Sequence, residues 1–469
     1  MTLEDKYNEM TTKPVKGLVC KMAVPTIIAM VTTAFYNVVD AAFIGHLSTE
    51  GTEGTAGIGI SFAYMTFIQA LGFFFGHGSG NHISRALGAK DVSSASVMAT
   101  VGFITPFLLG TVAALCCLPN LSWLSRLLGA PDAVVPYANE YLRYIVVATP
   151  FMMSALTLNN QLRLQGNARF GMVGIVSGAI LNIALDPLLI FTFGMGVSGA
   201  SLATAISQVF AWGLLLYGTF RPESVHIRLR DFKPSWKVYY EIFRGGSPSL
   251  FRQVFNCAAA VSLNYCAALY AAPGQEASAV AAFAVVTRIM MFAFSVVLGF
   301  SQGFQPVCGY NYGAKLYGRV REAWLFASCV GTAFLLIISS FGLIFAPQIV
   351  ALFRAEDPVL IEIGAVTLRW QCAAFPLVAL FTTTGMLFQN IRMTGPATLL
   401  SVCRNGLFFL PALLLLPITP FPFGDSPSGG GELGLVGVQM AQGVADAMTF
   451  LLCIPYVVWI NRKLKNEMK

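Results

Sequence analysis

Three aspartates lie well inside long apolar runs of this 469-residue chain: Asp40, Asp186 and Asp446. A carboxylate surrounded by hydrocarbon costs roughly 2.5 to 3.5 kcal/mol on insertion scales, so each needs a partner or a purpose. Around the first, Tyr36, Asn37 and Asp40 stand at i, i+1 and i+4, which gathers them on one helical face. Asn182 and Asp186 repeat the i,i+4 pairing in a later run. Ser201, Thr204 and Gln208 form a polar stripe in the next, just after the close-packing sequence Gly196-Val-Ser-Gly-Ala. Counted inward from the ends of their runs, Asp40, Asp186 and Thr204 lie roughly 6 to 12 Å deep at 1.5 Å per residue, so they can meet at one level. Two carboxylates with amide and hydroxyl oxygens beside them suit a hard cation such as Na+. Without the cation, such a pair is pushed by desolvation and mutual repulsion to take up H+ instead. The expected coupling set is therefore Asp40, Asn182, Asp186 and Thr204, exchanging Na+ and H+ with no resident cofactor. The competing reading, acids that merely accept hydrogen bonds between helices, is the weaker one, because no Lys or Arg lies within these stripes.

The elements that must hold these groups follow from composition. Apolar residues make up 56% of the chain and charged ones only 11%, and the mean hydropathy is +0.69. A soluble protein carries roughly a quarter charged residues. Runs of about 20 uncharged residues match helices that cross roughly 30 Å of hydrocarbon. Twelve such runs are expected, near 18–44, 55–77, 94–118, 135–158, 168–193, 196–219, 247–271, 279–302, 323–345, 362–388, 397–417 and 433–460. With the N-terminus in the cytoplasm, 22 of the 29 Lys and Arg fall on the cytoplasmic side and only Arg126 and Arg354 on the outer one. The positive-inside rule then places both termini in the cytoplasm. That asymmetry also accounts for the net charge of +7, so a nucleic-acid partner is not needed. The expected setting is the cell (inner) membrane.

The chain repeats itself. Pro25 recurs as Pro248, Gly88-Ala89-Lys90 as Gly313-Ala314-Lys315, Pro150 as Pro376, and Leu162-Arg163-Leu164-Gln165-Gly166 as Ile391-Arg392-Met393-Thr394-Gly395. Six runs per half is an even number, so both halves enter from the same side. The expected fold is an all-α membrane protein with twelve transmembrane helices in two six-helix lobes, related by a pseudo-two-fold axis along the membrane normal. The lobes span 1–219 and 247–469, joined by a basic cytoplasmic linker over 220–246. The second half differs in sign: Arg252, Arg288 and Arg404 lie inside its runs with Asp446 to answer them. The ten Cys read as packing residues. No HExxH, GxSxG or Cys/His constellation suggests an enzyme.

Tyr36-Asn-Val-Val-Asp40, Ser84-Arg-Ala-Leu-Gly-Ala-Lys90 and Asn182-Ile-Ala-Leu-Asp-Pro187 resemble the multidrug and toxic compound extrusion (MATE) family, in its prokaryotic DinF-like branch. The resemblance covers essentially the whole chain. It implies two six-helix bundles around a cleft that opens to either side in turn, exporting organic cations and amphipathic drugs against Na+ or H+. Carried onto this sequence, the family's cation site falls on Asp40, Asn182, Asp186 and Thr204, with Tyr36, Tyr141 and Asn159 hydrogen-bonding around it. A bend of the first span near Pro25 accompanies protonation in the family. The substrate wall expected here is Tyr36, Asn37 and Phe and Met side chains such as Met65, Met290 and Met291, working on drug-like cations in a monomer. A lipid-linked oligosaccharide flippase of the same wider superfamily is the alternative, and it would use Arg252, Arg288 and Arg404.

Overall fold

A computed structural model of the chain describes residues 2–45, 51–353, 357–418 and 432–468, and gives only the backbone at 36–45, 51–56, 58, 432 and 433. Among the described residues the fold is entirely helical. A short amphipathic helix, α1 (Leu3–Thr12), precedes the first half: α2 (Val15–Gly45), α3 (Gly51–Gly88), α4 (Val92–Cys117), the short α5 (Leu121–Leu127), α6 (Val135–Leu164), α7 (Ala168–Pro187) and α8 (Gly196–Thr219). The second half comprises α9 (Trp236–Leu269), α10 (Glu276–Gly313), α11 (Tyr317–Ile344), the short α12 (Ala346–Ala351), and α13 (Pro358–Ala374) continued by α14 (Val378–Asn390). It ends with α15 (Thr394–Val402), continued by α16 (Phe409–Leu415), and α17 (Glu432–Asn466).

Eleven stretches of the described residues are long and apolar enough to cross a membrane. The twelfth expected span lies in α9, where Ser247, Ser249, Arg252, Gln253 and Asn256 dilute the apolar residues. This helix starts at Trp236, with Ser235 accepting from the Val238 N–H as its cap, so it takes up much of the expected linker. The chain is therefore a multi-pass membrane protein.

The halves share a local design as well as an order. Lys90 and Lys315 both take φ of 60°, and each ends its helix with the same bonds. The Lys90 N–H reaches the Leu87 carbonyl and the Asp91 N–H that of Ala86; the Lys315 N–H reaches Tyr312 and the Leu316 N–H that of Asn311. The 6→1 bond and the left-handed residue make this a Schellman close, in which a lysine stands where glycine is usual. Arg392, at φ 65°, ends the tenth span as Gly166, at φ 86°, ends the fourth.

Within each half the helices pack on one another, α3 on α6, α6 on α8 and α2 on α7 in the first, α10 on α11 and α13 on α17 in the second. Across the halves α2 crosses α10 and α3 crosses α9. Glycine makes these crossings close. A Cβ at Gly299 would lie 2.7 Å from the Cα of Ile27, one at Gly245 would lie 3.0 Å from the Cα of Gly78, and one at Gly303 would overlap Ala23.

Both termini come to the end of the molecule where these crossings lie. There α1 bridges the halves: Asn311 on α10 donates to the Met10 carbonyl (3.0 Å), and Arg319 on α11 donates to the carbonyls of Met10 (3.3 Å) and Lys13 (2.6 Å). Glu9, 4% exposed, collects Lys6 (3.7 Å), Lys13 (3.3 Å) and Lys21. Burial alone would raise the Glu9 carboxyl, but the bond from Lys21 and the charge of Lys6 outweigh it, so its pKa lies below the ordinary value. A carboxyl with a lowered folded-state pKa adds stability that is complete above the unfolded value, about 4.5, and is lost as the pH falls through the folded value. Glu9→Gln is expected to remove roughly 1 kcal/mol, discounted for the exposed Lys13 and Lys21, and to flatten the acid limb of stability. Thermal unfolding of the detergent-solubilised variant between pH 3 and 7 checks this; an unchanged acid limb counts against it.

Candidate functional site

The described part of the expected coupling set meets inside the first half. Asn182 and Asp186 sit one turn apart on α7, and Thr204 faces them from α8. The Asn182 amide donates to Asp186 Oδ1 (3.3 Å) and to Thr204 Oγ1 (3.4 Å), and all three side chains are buried. The local sequence explains the position. Gly178, whose Cβ would lie 2.9 Å from that of Ala211, lets α7 and α8 approach, and Gly199 sits close enough for a Cβ to lie 2.8 Å from the Leu189 backbone. Directly after Asp186, Pro187 removes a backbone donor and the chain widens into a π-helical turn, Leu188–Thr192. The Oδ1 of Asn182 is buried without a hydrogen-bond donor. A carbonyl oxygen left so, next to a carboxylate and a hydroxyl, fits an oxygen-ligand cation better than a purely structural network.

Tyr36, Asn37 and Asp40 fall among residues whose side chains lie outside those described. Their helix, α2, packs along α7. Tyr141 is buried on α6 and its hydroxyl donates to the sulfur of Met65 (3.9 Å), within a cluster that includes Tyr64 and Ile68. Asn159 stands apart: its amide donates to the Gly171 carbonyl (2.9 Å), about three turns along α7 from Asn182. It ties α6 to α7 near the basic end and does not join the set.

Of the three intramembrane arginines of the second half, Arg404 pairs with Asp446 (2.8 Å), and its guanidinium also lies 4.7 Å from the centre of the Phe294 ring. Gln442 donates to the same carboxylate (3.1 Å). Arg404 belongs to a second π-helical turn, Cys403–Leu407, in the span that matches α7 in the repeat. The acid of the second half is thus neutralised, while the first half keeps its polar cluster.

The sequence reading did not anticipate a buried polar layer between the halves. Arg163, expected among the cytoplasmic charges, is 2% exposed. It donates to the Gln302 carbonyl (2.6 Å), to Gln305 Oε1 (2.9 Å), to Asn160 Oδ1 (2.7 Å) and to His77 Nε2 (3.2 Å). Because His77 Nδ1 faces the Phe73 carbonyl (3.2 Å), which only accepts, the imidazole is the neutral Nδ1–H tautomer. Nearer the basic end, Arg85 donates to the Asn390 carbonyl (2.5 Å) and lies 3.7 Å from Glu241, which also takes Arg392 and stands 3.5 Å from His82. Two tiers of charge-assisted bonds therefore seal the halves together at this end. The sequence pairs the Arg163 motif with Ile391-Arg392, but in the fold Arg392 stands where Gly166 does, so the repeat did not mark this layer.

Twelve membrane helices in two similar halves, sealed at one end and carrying a buried oxygen-rich cluster in one half, define a transporter rather than an enzyme. The match to known proteins narrows this. The MatE family model covers residues 25–188 and 255–414. The multidrug export protein MepA of Staphylococcus aureus (strain N315) is 27% identical over 462 residues, 96% of this chain and 95% of that protein. A solved multidrug resistance MATE family transporter of the MOP superfamily, in an outward-facing conformation, is 28% identical with a TM-score of 0.88 over 98% of both chains. A MOP superfamily transporter from Pyrococcus furiosus, whose binding pocket is described as of reverse polarity suggesting a different function, is 27% identical at 0.87, covering 97% of this chain and 98% of that one. The chain belongs to the MATE family.

Proposed function

We propose that this protein is a multidrug exporter that moves amphipathic organic cations out of the cell in exchange for Na+ or H+, by alternating access of its two halves. The observation that carries the coupling is the buried Asn182–Asp186–Thr204 cluster with its unsatisfied carbonyl oxygen. Bound Na+ would satisfy that oxygen; in its absence, a proton on the carboxyl would relieve the buried charge. Binding of either one changes the charge between α7, α8 and the α2 helix that carries Asp40. Since α2 also crosses α10, such a change has a direct route to the interface between halves.

The basic, sealed end with both termini lies in the cytoplasm on this reading, which agrees with the positive-inside rule. That multidrug export is the named activity of MepA supports the substrate class. The test is ethidium efflux from proteoliposomes under separately imposed Na+ and pH gradients. At least one gradient is expected to drive accumulation against the dye gradient, and failure of both would reject ion-coupled export.

A further inference from the structure

The exporter reading leaves an unexplained excess of positive charge on the wall that the second half turns to the first. We propose that Arg288, supported by Arg252, forms a subsite for the acid group of a zwitterionic or anionic amphiphile, so that this cleft accepts carboxylate-bearing substrates. The proposal rests on the exporter reading only in taking the space between the halves as the substrate path.

Helical phase directs Arg288 into that space. On α10, Gly299 and Gly303 meet Ile27 and Ala23 of the first half. Arg288 lies about three turns beyond Gly299, away from the sealed end, and at 3.6 residues per turn it stands within about 20° of the same face. The opposite face, Ala279, Ala282, Phe283 and Val286, is packed into the core of the second half. Arg288 itself is exposed. An exposed guanidinium at mid-helix, aligned with the face that meets the other half, looks into the aqueous path; one facing lipid would have to sit in hydrocarbon.

Arg252 sits lower on α9 and is half-buried. Gly245, about two turns below it, meets Gly78 on α3 of the first half. Seven residues on from Gly245, it stands on the same face of α9, the one that meets α3. Among the described residues no carboxylate comes within ion-pair distance of Arg252 or Arg288, whereas Arg404 has Asp446. Arg163, buried at the floor, is held by carbonyl and amide oxygens rather than by an acid. The floor and one wall of the path are thus cationic, and among the described residues no acid pairs with them.

Apolar surface lies on the same faces. Phe67, about three turns from Gly78 along the face of α3 that meets α9, is 58% exposed, and Met291 beside Arg288 is 36% exposed. A flat ring system against these side chains, with its acid on a bidentate guanidinium, uses both features. Arg288 adds attraction for the acid group alone, and the apolar side chains serve the rings of any substrate.

A matched dye pair tests this. Rhodamine 110 carries a free carboxylate, and rhodamine 123 is its methyl ester. Fluorescence polarisation with the full chain in detergent reports both affinities. Arg288→Gln is expected to lower the preference for rhodamine 110 over rhodamine 123 by about tenfold, Arg252→Gln by less, and Arg288→Lys is expected to restore part of the preference, because a point charge keeps the attraction without the fork. An unchanged preference in Arg288→Gln, or a wild-type chain that binds no rhodamine 110, overturns the subsite. A chain that binds rhodamine 110 through Arg288 yet moves no dye in proteoliposomes upholds the subsite and rejects export. One that exports rhodamine 123 with a preference indifferent to Arg288 does the reverse.

Discussion

Gly303→Val is expected to hold the two halves apart at the basic end and to stop transport. The crossing of α2 and α10 leaves no room there: a Cβ at Gly303 overlaps the backbone of Ala23, and no flexible side-chain end is available to move aside. Overpacking a tight contact costs about 1 to 3 kcal/mol, and a backbone overlap lies at the upper end. That energy falls on the sealed state alone, so the population ratio shifts toward the opened form by roughly 5- to 150-fold. Cys308, about a turn and a half along α10 and fully buried, reports the shift. Its thiol is expected to react with a maleimide in the variant and to resist in the parent chain, as mapped by mass spectrometry of the labelled peptide. Gly395→Ala, with nothing within 4 Å of the added atom, is the control and should leave both labelling and efflux unchanged. If Cys308 stays protected in Gly303→Val while efflux continues, the α2–α10 crossing is not the moving contact.

Asp186→Asn is expected to abolish gradient-driven efflux while the protein still folds. The amide is close to isosteric and keeps the contact with Asn182, 3.3 Å away, but it removes the charge that the coupling reading requires. Affinity for the coupling ion should fall by at least about tenfold, roughly 1.4 kcal/mol, and proton uptake at this position disappears. Dye binding in the absence of any gradient should persist, which separates lost coupling from lost structure. Asp40→Asn should behave in the same way, since the sequence places it at the same depth. Wild-type ethidium efflux by Asp186→Asn under both Na+ and pH gradients would remove the cluster from the mechanism. The pair Arg404–Asp446 provides the contrast. Its acid is answered by an arginine, so Asp446→Asn should act on stability by stranding that guanidinium rather than on coupling.

Much of this arrangement was legible without coordinates because hydrocarbon makes strong demands on sequence. Apolar runs must match the bilayer thickness, basic loops sort to one side, and an acid inside a run stands out by its cost. The one-turn pairing of Asn182 with Asp186 follows from helix geometry alone, and the depth of Thr204 brings it level with them. That the arginines of the second half would pair with Asp446 or with backbone carbonyls was the expected reading; that Arg404 is the one that pairs came from the structure. Legibility stopped where position depends on a second helix. Arg163 and Arg85 stand near helix ends and read as cytoplasmic charges, yet both are sealed between the halves, because α10 and α14 cover ends that a hydropathy profile treats as free. His77 carried no pattern at all. The start of α9 at Trp236 was hidden because Lys237, Glu241 and Arg244 interrupt the apolar run there.

The sequence by itself therefore determined which segments cross the membrane, that the chain is a doubled six-helix unit, and that Asn182, Asp186 and Thr204 of the first half meet. These are decided by transfer energies and helical periodicity, which act within one segment at a time. Only the tertiary structure decided which charges are neutralised, which glycines let the halves meet, and that Arg163 and Arg85 are sealed between them. Those depend on what the neighbouring helix presents at a few ångströms, where an ion pair or a backbone overlap is made or lost, and no periodicity within a single segment encodes that.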